Sequence, residues 1–156
     1  MFQEAQDAVV DLSEEDVDAV DFMLRHMYGC MWRDWGDISE LDIVELYSIG
    51  RRLSVKNLAE LTVKYLKWLS EECDLGMNTT KEMIKIVYTE ATDVDELDRQ
   101  ARDALVNWVV KDYFSDNPYA REWYQGLLAV SSAFAFDFAL KISKRDRGFY
   151  EMPKSV

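Results

Sequence analysis

The sequence predicts a mainly α-helical protein with one short extended run near its start. Three observations carry this. Apolar residues recur at helical spacing through most of the chain. Caps and breakers, among them Ser13, Gly29, Ser39, Gly76 and Pro118, fall where the periodic stretches meet. Only Val9-Val10-Asp11-Leu12 reads as a strand, a β-prone run before an acidic turn.

That strand cannot complete a ladder alone, so it needs a partner strand that these residues do not supply. Ser13 to Asp16 then gathers acids where a helix dipole is positive. A helix over about 16–27 follows, with Val17, Val20, Leu24 and Met27 on one face and Phe22 and Met23 widening it. Gly29 ends it. Residues 30–37 read as a loop holding Trp32 and Trp35. Asp37 or Ser39 caps a helix over 38–53, whose stripe is Leu41, Val44 (or Ile43), Tyr47 and Leu53. Gly50 marks a close-packing point on it. After a break at Ser54-Val55, a helix over 56–70 turns Leu58, Leu61, Tyr65 and Leu69 inward.

The second half reads as helix throughout. Thr79 or Thr80 caps a helix reaching Glu90, with Met83, Ile84, Val87 and Tyr88 inward. Thr92 or Asp93 caps another over about 94–115, with Leu97, Ala101, Leu105, Trp108, Val109 and Tyr113 inward. Asn117-Pro118 stops it, and one last helix runs from Tyr119 to Ser143 on Trp123, Leu127, Val130, Phe134 and Phe138. A polar tail over 145–156 is expected to fray. The expected division is 1–72, then 73–144, then the tail.

Of 156 residues, 49% are hydrophobic and 13% aromatic, enough to build a core against a net charge of −12. The charge is uneven. Residues 1–45 hold thirteen acidic side chains against Arg25 and Arg33, which puts −11 of the total there. Such a front half repels phosphate backbones and anionic lipid, so neither nucleic acid nor membrane is an expected partner. Cys30 and Cys73 are too few for a disulfide framework and read as free thiols in a reducing compartment, cytoplasmic or nuclear. The start lacks the basic and apolar regions of a signal peptide.

Chemistry-bearing patterns are sparse. His26 lies inside an amphipathic helix and reads as a rim histidine. Asp93-Val94-Asp95-Glu96-Leu97-Asp98 has some calcium-loop spacing but lacks the turn glycine and the distal glutamate, so these acids read as helix caps. No glycine-rich phosphate loop or Gly-x-Ser-x-Gly elbow occurs. No catalytic, cofactor or metal residue is therefore expected. Trp68, Trp108 and Trp123 stand at helical spacing and read as core. Trp32 and Trp35, on a loop, read as partner contacts.

The joint order of Phe2-x-Glu4, Val9 to Leu12, the acidic turn, the helix ending Met27-Tyr28-Gly29, and the helix pair over 44–66 with Tyr47, Arg52, Leu53, Val55 and Leu58 resembles the C-terminal part of fungal-type BTB (POZ) domains over residues 2–70. Residues 79–140 resemble the helical extension that follows such domains. The resemblance implies the back end of an α/β fold, then an all-α extension. It implies a non-enzymatic protein-interaction adaptor with Phe2, Glu4, Tyr28, Trp32 and Trp35 at the partner. Phe2-Gln3-Glu4 matches the hydrophobic-x-Glu motif of family members that bind a cullin scaffold, which implies substrate recruitment to a ubiquitin ligase. The family's front half, which forms its homodimer, has no counterpart here. The alternative expectation is thus a truncated relative that needs a partner chain to fold. A ligand carrier or small enzyme on a helical bundle is the third, marked by a deep pocket with converging polar groups.

Overall fold

A computed structural model describes residues 12, 13, 15–30, 38–72, 76–90, 95–114 and 120–150, with backbone alone at 77, 90, 120–122 and 145–150. Among these residues are seven helices and no strand: α1 Val17–Met27, α2 Glu40–Arg52, α3 Lys56–Glu72, α4 Met77–Glu90, α5 Glu96–Tyr113, α6 Ala120–Leu128 and α7 Ser132–Tyr150. The mainly helical expectation holds. The strand expected at 9–12 lies outside the described residues apart from Leu12, which has no regular structure.

α1 begins where the acidic turn predicts. The Asp16 carboxylate caps it, accepting from the N–H groups of Asp18 and Ala19 at 2.9 and 3.0 Å. Gly29 closes it at φ +85°. The Cys30 N–H reaches the Arg25 carbonyl and the Gly29 N–H reaches that of His26, the paired bonds of a Schellman end. The expected inner face is wrong by a rotation. Ala19 and Met23 are buried, whereas Val17 and Met27 are 79% and 61% exposed. α1 carries more apolar residues than one interface can cover, and small Ala19 lets it settle closely on Leu46, Ile49 and Leu58.

α2 starts at a capping box. Ser39 Oγ accepts from the Asp42 N–H, and Asp42 accepts from the Ser39 N–H at 2.8 Å. The helix packs against α1, α3 and α4. It is therefore buried on several sides, at Ile43, Val44, Leu46, Tyr47, Ser48 and Ile49, while the expected Leu41 and Leu53 are only half-buried. The turn into α3 is a second Schellman end: Val55 N–H to Gly50 carbonyl at 2.8 Å, and Ser54 N–H to Arg51 carbonyl. Here the left-handed position is Ser54, at φ +59°. The close contact expected at Gly50 is present. A Cβ there would stand 3.0 Å from the Ala59 backbone nitrogen.

α3 buries Leu58, Ala59, Val63, Leu66 and Leu69. Leu61 and Tyr65, expected inside, sit at its margin, and Trp68, expected in the core, is 48% exposed. The stripe is turned because Ala59 and Thr62 present the small surface that meets α2. α4 starts earlier than expected. Thr79 and Thr80 lie inside its first turn, where the Thr80 hydroxyl donates to the Gly76 carbonyl. Asp95 caps α5, accepting from the Asp98 N–H at 2.9 Å, while Thr92 and Asp93 lie outside the described residues. Trp108 is buried as expected, and Tyr113 is not.

The single last helix is two. The chain turns at Ala129-Val130, and Ser131 Oγ restarts it by accepting from the Phe134 N–H. No glycine or proline marks the break. It lets Leu127 and Phe134 enter one cluster with Ile84, Val109 and Tyr124. α7 continues past Lys144 to Tyr150, into the expected tail. A further cluster joins Val44, Tyr47, Val63 and Leu66 to Met83, Val87, Ala101, Leu105 and Trp108. That cluster draws side chains from both sides of residue 72.

Two substitutions test these ends. Gly50→Ala sets a methyl group 3.0 Å from the Ala59 backbone nitrogen, so that α2 and α3 must move apart by a few tenths of an ångström, and should cost about 1–3 kcal/mol in urea unfolding. Ser54→Gly relieves the left-handed strain and should gain about 1 kcal/mol.

Candidate interaction surfaces

One polar cluster ties the chain's two halves together. Asp98, in the first turn of α5, is 1% exposed. It accepts a short hydrogen bond from the Tyr47 hydroxyl and a charged one from Arg51 Nε at 3.0 Å. Arg51 also reaches Asp95 at 2.8 Å. Burial, followed by the Asp98 hydrogen bond, raises the Tyr47 phenol far above its ordinary range. The N–H of Asp98, then Arg51, holds the Asp95 carboxyl below its ordinary value. The sequence marks Asp95 and Asp98 as caps but gives no sign that Asp98 is buried against α2. That pairing joins residues 51 positions apart. The Tyr47 hydroxyl, the Arg51 guanidinium and both carboxylates are engaged with one another or with the α5 backbone.

Of the expected partner residues, Tyr28 alone is described. It stands at the end of α1, 86% exposed. Phe2, Glu4, Trp32 and Trp35 lie outside the described residues. Tyr28 extends an apolar strip made by Val17, Leu24 and Met27, the face expected to point inward. The strip is bordered by Asp18 and Asp21, and Asp21 is bridged to Arg25 at 2.6 Å. At its start, single carboxylate oxygens of Asp16, Asp42 and Glu45 all lie within 4.8 Å of one another. Partial burial, and then the charges of Asp16, Asp42 and Asp18, raise the Glu45 carboxyl above its ordinary value. Asp16 and Asp42 each cap a helix, which explains the crowding without a ligand.

A second surface opens between α3 and the start of α2. It is a groove of about 380 Å³ lined by Ile38, Ile43, Leu61, Thr62, Tyr65 and Trp68, with Lys64 at its edge. Its wall is almost wholly apolar, and the Thr62 hydroxyl is satisfied by the Ala59 carbonyl at 2.9 Å. Tyr65 and Trp68 touch ring to ring at 5.1 Å. Sequence reasoning missed this groove because it placed Leu61, Tyr65 and Trp68 in the core. Their spacing of four and three residues does mark one helix face; which side it faces depends on the neighbours.

A third, wider cleft runs along α3, α5 and α7 and is lined mostly by charged and polar residues, with Val106, Val110 and Leu140 between them. Polar groups meet across it: the Lys67 ammonium donates to the Gln100 amide oxygen at 2.8 Å, and Lys141 pairs with Asp103 at 2.7 Å. Asp137 accepts from Tyr88, whose ring lies under Arg102 at 4.7 Å. Among the described residues Cys30 is a free, exposed cysteine. No helix among them is long and apolar enough to cross a membrane. No family model matches the chain, and neither curated proteins nor solved structures give a match.

Asp98→Ala should cost about 2–4 kcal/mol in chemical unfolding, because it strands the buried Tyr47 hydroxyl and takes from Arg51 one of its two carboxylates; Arg51 keeps Asp95 and some water, which limits the loss. Glu45→Gln should act in the other direction. A carboxyl with its value raised on folding destabilises the fold above that value and ceases to do so below the unfolded range. The variant should therefore melt higher than wild type at pH 7, with the gap closing as pH falls through about 4.

Proposed function

We propose that the chain is a non-enzymatic protein-interaction module. The observation that carries this reading is the open apolar groove over Leu61, Tyr65 and Trp68. A half-exposed tryptophan against a tyrosine, beside satisfied polar groups, offers the anchor that protein partners use. The groove accepts one or two apolar side chains of a partner segment; its volume lies near the small end of ligand pockets.

The BTB/POZ reading refines this. It rests on the order of residues in the sequence, from Phe2-x-Glu4 through Met27-Tyr28-Gly29 to the helix pair over 44–66. In that reading Phe2 and Glu4 recruit a cullin scaffold, and the chain works as a ubiquitin-ligase adaptor in the cytoplasm or nucleus. A second reading, a truncated relative dependent on a partner chain, is favoured by the uncovered strip on α1. A monomer whose melting is cooperative and independent of concentration counts against it.

Purified, folded chain should bind a cullin scaffold or a full-length BTB protein at micromolar concentration. Trp68→Ala should weaken partner binding about tenfold or more. A Phe2→Ala, Glu4→Ala double variant should lose the cullin alone. Wild type that stays unbound to both probes removes the adaptor reading.

A further inference from the structure

We infer that the outer face of α1 docks a basic amphipathic helix of a partner protein. The inference rests on the interaction-module reading but uses a different surface from the α3 groove. Val17, Leu24, Met27 and Tyr28 make a strip along a helix of 11 residues, about 16 Å in length. That length matches about three turns of a partner helix presenting residues at i, i+3, i+4 and i+7. An isolated exposed leucine needs no explanation, but four exposed apolar side chains on one short helix and its cap, with half-buried Val20 between the first two, do.

Charge decides among the occupants. Asp18 and Asp21 border the strip, and Asp16, Asp42 and Glu45 crowd its start with carboxylates that repel one another. Arg25 opposes them but is bound to Asp21. A second copy of the chain would bring the same acids against these, and −11 against −11 over residues 1–45 is repulsive. An anionic membrane or nucleic acid meets the same repulsion. Lysine or arginine on the flank of an incoming helix relieves it, while the apolar side chains of that helix cover the strip. Oppositely charged rims speed encounter and set orientation, and the apolar contact supplies most of the affinity.

The probe is a labelled helical peptide of about fourteen residues, leucine on one face and lysine on the other, added to the full chain. Saturable binding at micromolar concentration is expected, with amide shifts in ¹⁵N spectra centred on residues 16–30. The Leu24→Ser, Met27→Ser double variant should bind about tenfold more weakly. Neither side chain belongs to a core cluster, and they are 41% and 61% exposed, so the variant should fold, which circular dichroism checks. Trp68→Ala should bind this peptide like wild type even where it loses the groove's partner. Three results would overturn the inference: equal binding of a leucine–glutamate peptide of the same pattern, equal binding of a serine–lysine peptide that has the charge alone, or no saturation up to about 100 µM. The last would mean that another part of the chain covers the strip.

Discussion

The carboxylate of Asp98 is the point on which the structure turns. A charge buried to that degree would be expelled from the core if it stood alone. It stays because Tyr47 and Arg51, both on α2, supply a hydroxyl and a guanidinium. The same contact sets the first turn of α5 against the last turns of α2. A purely apolar contact tolerates sliding; this one has few geometries that satisfy every group. The position of α2 then determines what α1, α3 and α4 can bury, because all three pack on it.

The two surfaces follow from that frame. α2 can cover only so much. Against α3 it uses the close approach at Gly50 and Ala59, which tilts the buried side of α3 toward Leu58, Thr62 and Leu66 and leaves Leu61, Tyr65 and Trp68 at the edge. Against α1 it takes Ala19 and Met23, leaving the rest of the apolar surface outside. Both open patches are residues that could have been core and were displaced by better-fitting neighbours. Their chemistry differs. The α3 patch is aromatic, concave and lightly charged; the α1 patch is mostly aliphatic, ends in Tyr28 and is bordered by acids with Arg25 among them. Two partners, or two parts of one partner, suit them better than a single repeated contact.

Much of the local structure was legible in the residues. Asp16 and Ser39 cap helices because short acceptors reach free N–H groups, and Gly29 ends one because it takes a left-handed turn without strain; the cap of α5 is Asp95 where Thr92 or Asp93 was expected. The helix pair around Ser54-Val55 and the tight spot at Gly50 were readable for similar reasons. The break between α6 and α7 was readable only in part: Ser131 is a usable cap, but no glycine or proline announces the turn. Of the site, Tyr28 was named only through the BTB resemblance and is exposed, while Trp68 was read as core and stands half outside it.

The sequence by itself determined that this chain is mostly helix, where most helices start and stop, and that its front is heavily acidic. Those depend on atoms within a few residues of one another, or on composition alone. Only the tertiary structure decided which apolar residues became core, that Asp98 could be buried, and that the strip on α1 and the groove on α3 stay open. A helix with apolar residues around more than half its girth has several faces it could bury. The choice among them is made by the shape and polar groups of whatever packs against it, and that is not written in any local stretch of residues.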